Sequence, residues 1–283
     1  MNRGLGVFET EKDALDWYES KPRALSKEFL SSIPWEKVSD YPLNKQFIPV
    51  LLYMRDVETF TEIYYQELLR TPTGKDPVIG RFMERWSEEE QLHGELLNRF
   101  LNEAGFETRK EWQSESKSAI PLRYTFENYV TSMVTNLFGK RFSGAHMAWG
   151  AINEMMTLQG YRRLWQLAEH PVLEYILRGI AREESAHAKF YWSIARLKLE
   201  RSVPAQKLAR FVISKFWSPV GQGTKPQAET DYLIATLFEG ADGISFFDRN
   251  VNQRIERLPG FAGLKTVRER VAGIALKEAI ETI

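Results

Sequence analysis

The sequence has 283 residues, no cysteine, and equal numbers of basic and acidic side chains, 38 of each. A chain of this length can bury a sizeable core, and its 43% hydrophobic and 27% charged residues are typical of a globular protein. The lack of cysteine excludes disulfides, thiolate nucleophiles and iron–sulfur clusters, so a metal site must use carboxylate and imidazole ligands. The balanced charge favours neither nucleic acid nor an anionic membrane as a partner.

The start of the chain and its apolar runs predict a cytoplasmic protein without a membrane span. Residues 1–10 lack the basic stretch followed by apolar residues that marks a signal peptide. The longest apolar runs, such as residues 47–54, are far shorter than the roughly 20 residues that cross a bilayer.

Apolar residues at helical spacing, interrupted by Pro and Gly clusters, predict an all-α protein. Long helices separated by short turns favour a ferritin-like four-helix bundle with additional flanking helices. We expect one domain over residues 1–283, with 1–40 as an N-terminal extension and 200–283 as C-terminal flanking helices. The predicted helices span residues 12–20, 44–70, 77–104, 122–139, 143–168, 171–199, 204–216, 228–250 and 262–280.

Two of the four histidines end the same short motif. His93 and His187 each close an E-E-x-x-H sequence, in which Glu90 or Glu184 lies one helical turn before the imidazole and on the same face. One such motif arises readily by chance, and two are much less expected. Two solvated, Glu-rich helix faces are the alternative interpretation.

The turns between the predicted helices bring in two more carboxylates. Glu58 and Glu90 lie equally far from one turn, and Glu154 and Glu184 lie almost equally far from the next, which places each pair side by side in antiparallel helices. Glu154 lies in the otherwise uncharged run 145–161, where an isolated carboxylate costs several kcal/mol to bury. The sequence therefore predicts a two-metal site with the ligands Glu58, Glu90, His93, Glu154, Glu184 and His187.

Within this site Glu90 and Glu184 would bridge the two ions, and Glu58 and Glu154 would each bind one. Carboxylates with neutral imidazoles suit two iron ions (Fe2+ or Fe3+), with manganese as the alternative.

Glu89 and Glu183 precede the bridging residues and point elsewhere, because adjacent helical residues are about 100° apart. We expect them behind the ligands, where each accepts a hydrogen bond from a ligand histidine. Exposed acids on the helix surface are the competing interpretation for both.

These motifs resemble the soluble acyl-acyl-carrier-protein desaturases. The run W-S-E-E-E-Q-L-H-G-E-L-L-N at 86–98 is similar to that family's W-T-A-E-E-N-R-H-G-D-L-L-N. N-E-M-M-T at 153–157 resembles its Q-E-R-A-T, and A-R-E-E-S-A-H at 181–187 resembles its A-A-D-E-K-R-H. Glu58, six residues before Tyr64, matches its E-x5-Y. The similarity covers roughly residues 40–280, but the chain is shorter than the plant enzymes, and outside the ligand positions the resemblance identifies no substrate-channel residues.

The resemblance implies an iron pair that activates dioxygen and removes hydrogen from a fatty acyl chain held on acyl carrier protein, with a ferredoxin-like electron donor and a homodimeric enzyme. It implies that Thr157 is an active-site hydroxyl, although a helical Thr often bonds its own i−4 carbonyl instead. Trp86 is then part of an electron route or simply core. Hydroxylases, N-oxygenases and ferritins share the ligand set, so oxygenation of a small biosynthetic intermediate and ferroxidase-like iron binding stay open.

Two further features bear on these alternatives. A long apolar tunnel beside Thr157 would favour an acyl chain, a short polar pocket a small-molecule oxygenase, and no pocket iron handling. The residues expected in the tunnel, or in ordinary core, are Tyr64, Tyr65, Met147, Trp149, Met155 and Met156. A basic run forms either a carrier-docking surface or a solvated helix face, and contains Arg196, Lys198, Arg201, Lys207, Arg210 and Lys215 against Glu200 alone.

Overall fold

The structure is a computed structural model that describes residues 8–121 and 139–281. Within these residues there are twelve α-helices and no β-strand, so the prediction of an all-α helical bundle is confirmed. The helices are α1 (Glu11–Glu19), α2 (Lys27–Ser31), α3 (Phe47–Leu69), α4 (Pro77–Glu103), α5 (Trp112–Ser118), α6 (Ser143–Ala168), α7 (Pro171–Glu200), α8 (Val203–Phe216), α9 (Gln227–Phe238), α10 (Gly240–Phe247), α11 (Gln253–Ile255) and α12 (Thr266–Glu281).

Four long helices form the centre of the molecule. Helices α3 and α4 pack as one antiparallel pair, α6 and α7 pack as the other, and α4 contacts α7. Helix α1 covers α4 and α7, whereas α8 lies on α6 and α7, and α9 lies on α3 and α6. In the described ranges, no helix has the length and apolar character that a membrane span requires.

The long helices begin where local sequence signals predict. Asp76 accepts hydrogen bonds from the backbone N–H groups of Val78 and Ile79 at the start of α4, directly before Pro77. His170 does the same for Leu173 at the start of α7, and Pro171 follows it. A side-chain acceptor followed by Pro at the first helical position satisfies the otherwise unpaired donors of a helix N-terminus.

The structure corrects two of the predicted boundaries. The predicted helix 228–250 ends at Phe238, because Gly240 adopts a positive φ of 66° and the missing side chain of Gly243 lets the chain pass against Phe238. The predicted helix 262–280 begins only at Thr266, because Gly263 also has a positive φ, of 71°. Residues 122–138 of the predicted helix 122–139 lie outside the described residues.

Candidate metal centre

The six predicted ligands meet in the middle of the four long helices. Each is buried, with no more than 7% of its surface exposed. The alternative of two solvated Glu-rich faces therefore does not describe these positions. They come from all four helices: Glu58 from α3, Glu90 and His93 from α4, Glu154 from α6, and Glu184 and His187 from α7.

The six side chains form two overlapping groups, and each group could hold a metal ion. In both groups the ligand atoms lie within 4.8 Å of one another. The first group contains Glu58 and His93, the second contains Glu154 and His187, and Glu90 and Glu184 belong to both. This sharing is the arrangement expected of two bridging carboxylates between two ions, with one further carboxylate and one imidazole on each side.

Each histidine is held from behind by a carboxylate of the opposite helix. His93 Nε2 on α4 lies 3.0 Å from Glu183 Oε2 on α7, and His187 Nε2 on α7 lies 2.8 Å from Glu89 Oε2 on α4. A proton on Nε2 donated to the carboxylate leaves the Nδ1 lone pair for a metal ion. The hydrogen bonds thus cross between the helices, rather than running within one motif.

The carboxylates behind the histidines are themselves anchored. Glu89, 1% exposed, accepts hydrogen bonds from the Tyr18 hydroxyl at 2.5 Å and from Arg85 Nε at 2.7 Å. Glu183, 4% exposed, accepts one from the backbone N–H of Leu25 at 3.0 Å. Neither glutamate is on the surface. Residues of the N-terminal segment therefore complete the hydrogen bonding around both histidines.

The two outer carboxylates each have one oxygen directed at the centre and one held by a donor. The Tyr161 hydroxyl donates to Oε1 of Glu58, and Trp86 Nε1 donates to Oε1 of Glu154 at 3.1 Å. The opposite oxygens face the imidazoles: Glu58 Oε2 is 3.8 Å from His93 Nδ1, and Glu154 Oε2 is 3.7 Å from His187 Nδ1. Trp86 is therefore a core residue that also contacts a predicted ligand.

The buried carboxylates at the site make bound positive charge favourable. Burial and the neighbouring Glu58 and Glu184 raise the pKa of Glu90 well above its usual range, and burial with other carboxylates raises that of Glu184 to about 8. Burial lowers the pKa of His93 and His187, but the surrounding carboxylates outweigh it and hold both well above the usual value of 6.5. The cluster thus retains protons that bound cations would displace.

Several buried polar atoms at the centre have no hydrogen-bond partner among the described residues. They include Oε1 of Glu90, both carboxylate oxygens of Glu184, and Nδ1 of His93 and His187. His187 Nδ1 lies 3.0 Å from Glu90 Oε1 but lacks the alignment of a hydrogen bond. Unpaired buried acceptors are costly, and here they converge. Four carboxylates carry four negative charges when ionised, which two divalent cations would neutralise.

A cavity adjoins the cluster on the side of the outer carboxylates. This outer cavity has a volume of about 140 Å³ and is lined by Glu58, Glu90 and Glu154 together with Thr157. A smaller inner cavity of about 30 Å³ has an almost wholly apolar lining. Thr157, Val57, Glu58 and Val220 line both, so the two are adjacent.

Thr157 is available to a bound molecule. Among the described residues its hydroxyl has no hydrogen-bond partner, whereas Thr59 of α3 donates to its own i−4 carbonyl, that of Arg55, at 3.1 Å. Of the six apolar residues predicted near Thr157, Tyr64 lines the outer cavity and Met156 the inner one. The other four, Tyr65, Met147, Trp149 and Met155, line neither cavity.

Several basic side chains of residues 196–215 form ion pairs or hydrogen bonds within the chain. Lys198 pairs with Glu11 and Asp76, at 2.8 and 2.9 Å. Arg196 pairs with Glu200, and Arg210 donates to backbone carbonyls in the segment before α12. These cations attach the N-terminal and C-terminal segments to the bundle, which leaves a smaller exposed positive surface than the sequence suggests.

Four residues that contact the site among the described residues are absent from the predicted set: Tyr18, Leu25, Arg85 and Tyr161. Arg85 lies one helical turn before Glu89, whereas the other three contact elements distant along the chain, and none belongs to a motif. A scan against protein-family models and a search among curated proteins gave no match to this chain.

Proposed function

We propose that this chain binds two iron ions and uses dioxygen to oxidise an organic substrate by desaturating a carrier-bound fatty acyl chain. The support for two metal ions is the cluster itself: carboxylates shared by two ligand groups, a carboxylate-backed imidazole in each, and unpaired acceptors at the centre. Carboxylate and imidazole donors suit iron or manganese. Iron ions bound there would supply the dioxygen-derived oxidant for an unactivated carbon.

The observation that carries the proposal of an organic substrate is the position of the cavities. The outer cavity reaches Glu58, Glu90 and Glu154, so a molecule inside it would lie next to the metal centre. Iron handling alone requires no such pocket. The Thr157 hydroxyl offers this molecule a donor and an acceptor at the point where the two cavities meet.

The inner cavity favours an alkyl chain. Its lining includes Leu233, Leu237 and Phe238 of α9, so an alkyl group that extends past Thr157 would contact apolar side chains. Neither cavity reaches the roughly 300 Å³ at which ligand pockets usually begin, so a long chain requires the segment 217–226, which covers the outer cavity, to move.

Hydroxylation or N-oxygenation of a small intermediate is the second candidate. It is favoured by the mixed lining of the outer cavity, where Asn153, Gln222 and Thr224 add polar groups. Acyl carrier protein, a ferredoxin-like donor and a homodimer enter the proposal only through the resemblance of the motifs.

The test is a single reaction followed by mass spectrometry. The protein is loaded with iron, reduced, exposed to dioxygen and supplied with acyl-carrier substrates of different lengths. Loss of two hydrogens from the acyl chain would establish desaturation, and gain of one oxygen atom would establish oxygenation. Iron oxidation without any change in an organic substrate would overturn the proposal in favour of ferroxidase action.

Thr157→Val provides the matched variant for this test. It removes the hydroxyl beside the cavities and keeps the shape of the side chain. We expect a loss of turnover of at least tenfold with unchanged metal content. Thr59→Val is its control, because that hydroxyl bonds a backbone carbonyl and lines neither cavity.

A further inference from the structure

The two metal subsites are matched in their ligands but differ in the donor that holds the outer carboxylate. Glu58 is held by the phenol of Tyr161 and Glu154 by the indole of Trp86. A phenol O–H forms a shorter and stronger bond to a carboxylate than an indole N–H does. The two ligand motifs repeat each other in sequence, but the residues that donate to Glu58 and Glu154 do not. The difference between the two subsites therefore arises from the way the chain folds.

We propose that Tyr161 is a positioning residue that keeps Glu58 as a one-oxygen ligand and thereby makes the two metal subsites unequal. The proposal rests on the proposed two-metal centre. Tyr161 withholds Oε1 of Glu58 from the centre and leaves Oε2 facing His93. A carboxylate bound through one oxygen supplies one donor atom instead of two, which leaves a coordination position for another ligand.

The surroundings of Tyr161 suit this role better than substrate binding. The side chain is fully buried and lines neither cavity. It lies two helical turns after Glu154 on α6 and reaches across to α3, so one helix provides a ligand for one subsite and the restraint for the other. In the other subsite, Trp86 on α4 donates to Glu154 on α6, and its indole N–H is the weaker donor.

The experiment compares Tyr161→Phe with wild type after loading with Co2+, whose absorption intensity reports coordination number. We expect both proteins to bind two ions. In the variant the absorption of one ion should weaken as Glu58 becomes a two-oxygen ligand, and the affinity for that ion should change roughly tenfold. Identical spectra and stepwise affinities in the two proteins would overturn the proposal.

A control and a second variant keep the result interpretable. Tyr232→Phe removes a hydroxyl on α9 that donates to the Gln46 carbonyl and lines neither cavity, and it should leave both ions unchanged. Trp86→Phe should alter only the other ion and by a smaller amount, so it tests the same inequality even where Tyr161→Phe fails to fold. Failure of wild type itself to bind two ions would instead refute the proposed function.

Discussion

The metal centre has two sides that are built differently. On the histidine side, both imidazoles are backed by buried carboxylates, and Tyr18, Arg85 and the backbone of Leu25 complete the hydrogen bonding of those carboxylates. On the cavity side, Glu58 accepts from Tyr161 and Glu154 from Trp86, and both face space next to the Thr157 hydroxyl, which has no hydrogen-bond partner among the described residues. The contrast indicates a rigid side that fixes ligand geometry and a side on which another molecule can enter.

The electrostatics follow the same division. Burial raises the pKa of Glu89, but hydrogen bonds from His187, Tyr18 and Arg85 outweigh it and lower the pKa to about 2. Glu184, between the two sides, has its pKa raised to about 8 because burial and other carboxylates dominate there. The carboxylates behind the histidines are therefore charged and hydrogen-bonded without metal, whereas the centre keeps unpaired buried acceptors among the described residues.

The largest expected effect comes from removing a ligand that both groups share. Glu184→Ala should abolish binding of both ions, whereas Glu154→Ala should abolish one, because Glu154 belongs to a single group. Metal content after gel filtration, measured by mass spectrometry, distinguishes these outcomes. Glu95→Ala, an exposed change on α4, is the control. If Glu184→Ala retained two ions, Glu184 would not be a ligand that both groups share, and the division of the site into two overlapping groups would be wrong.

The next effect separates the two sides directly. Glu89→Gln should weaken metal binding by about 10–100-fold, because the group behind His187 loses its charge. It should also lower the melting temperature, since the Arg85 guanidinium loses its buried partner.

Glu183→Gln should weaken metal binding with a smaller thermal effect, because its other partner is the backbone N–H of Leu25. Thr157→Val on the cavity side should leave metal affinity unchanged. Stepwise calorimetric titration measures all three. A metal affinity that falls as far in Thr157→Val as in Glu89→Gln would remove the distinction between the sides.

The sequence predicts the ligands for a definite physical reason. Glu90 and His93 share a helix face by local geometry, and Glu58 follows from one short turn between antiparallel helices. Each inference depends on spacing within about thirty residues. The helix starts at Pro77 and Pro171 are equally local.

The contacts around the ligands could not be predicted from local spacing along the chain. Tyr18 reaches Glu89 only because α1 folds back across α4 and α7, and Tyr161 reaches Glu58 through the packing of one helix pair on the other. Neither contact leaves a periodic signal in the sequence. The break at Gly240 is different, because a glycine with a positive φ is a local feature of the chain that the apolar periodicity of the predicted helix 228–250 does not register.

A moderate effect is expected from pH on the metal-free protein. The pKa of Glu184 is raised from 4.5 to about 8, so the folded chain keeps a proton that the unfolded chain releases, and stability falls as pH rises between these values. His93 and His187 act in the same direction above 6.5, because their raised pKa values give a stabilisation that is lost as pH rises. On the acid side, the lowered pKa of Glu89 gives stability that is lost as pH falls from 4.5 towards about 2.

We therefore expect the melting temperature of the metal-free protein to fall by several degrees between pH 6.5 and about 8. The metal-loaded protein should not show this decline, because bound cations replace the protons and their affinity rises with pH. Thermal unfolding followed by circular dichroism measures both. Parallel pH profiles for the two forms would show that the cluster does not govern stability in this range.

The smallest effect concerns the segment 217–226, which covers the cavity side. Lys225 pairs with Asp56 of α3 and with Glu229 of α9, each at 2.9 Å, and is mostly buried. Tyr53 donates to the Val220 carbonyl at 2.7 Å and packs against Gly221, whose positive φ of 84° and missing side chain allow the close approach. The segment is thus attached to α3 directly beside Glu58.

Lys225→Met should release one of these attachments. For a pair that contributes about 1 kcal/mol, amide hydrogen exchange in residues 217–226 should accelerate about fivefold, while the amides around His187 stay protected and two metal ions still bind. Lys12→Met, which breaks the exposed pair with Asp16 on α1, is the matched control and should not affect this segment. Equal acceleration on both sides of the centre would mean that the bundle loosens as a whole, and the cavity side could then not open independently of the histidine side.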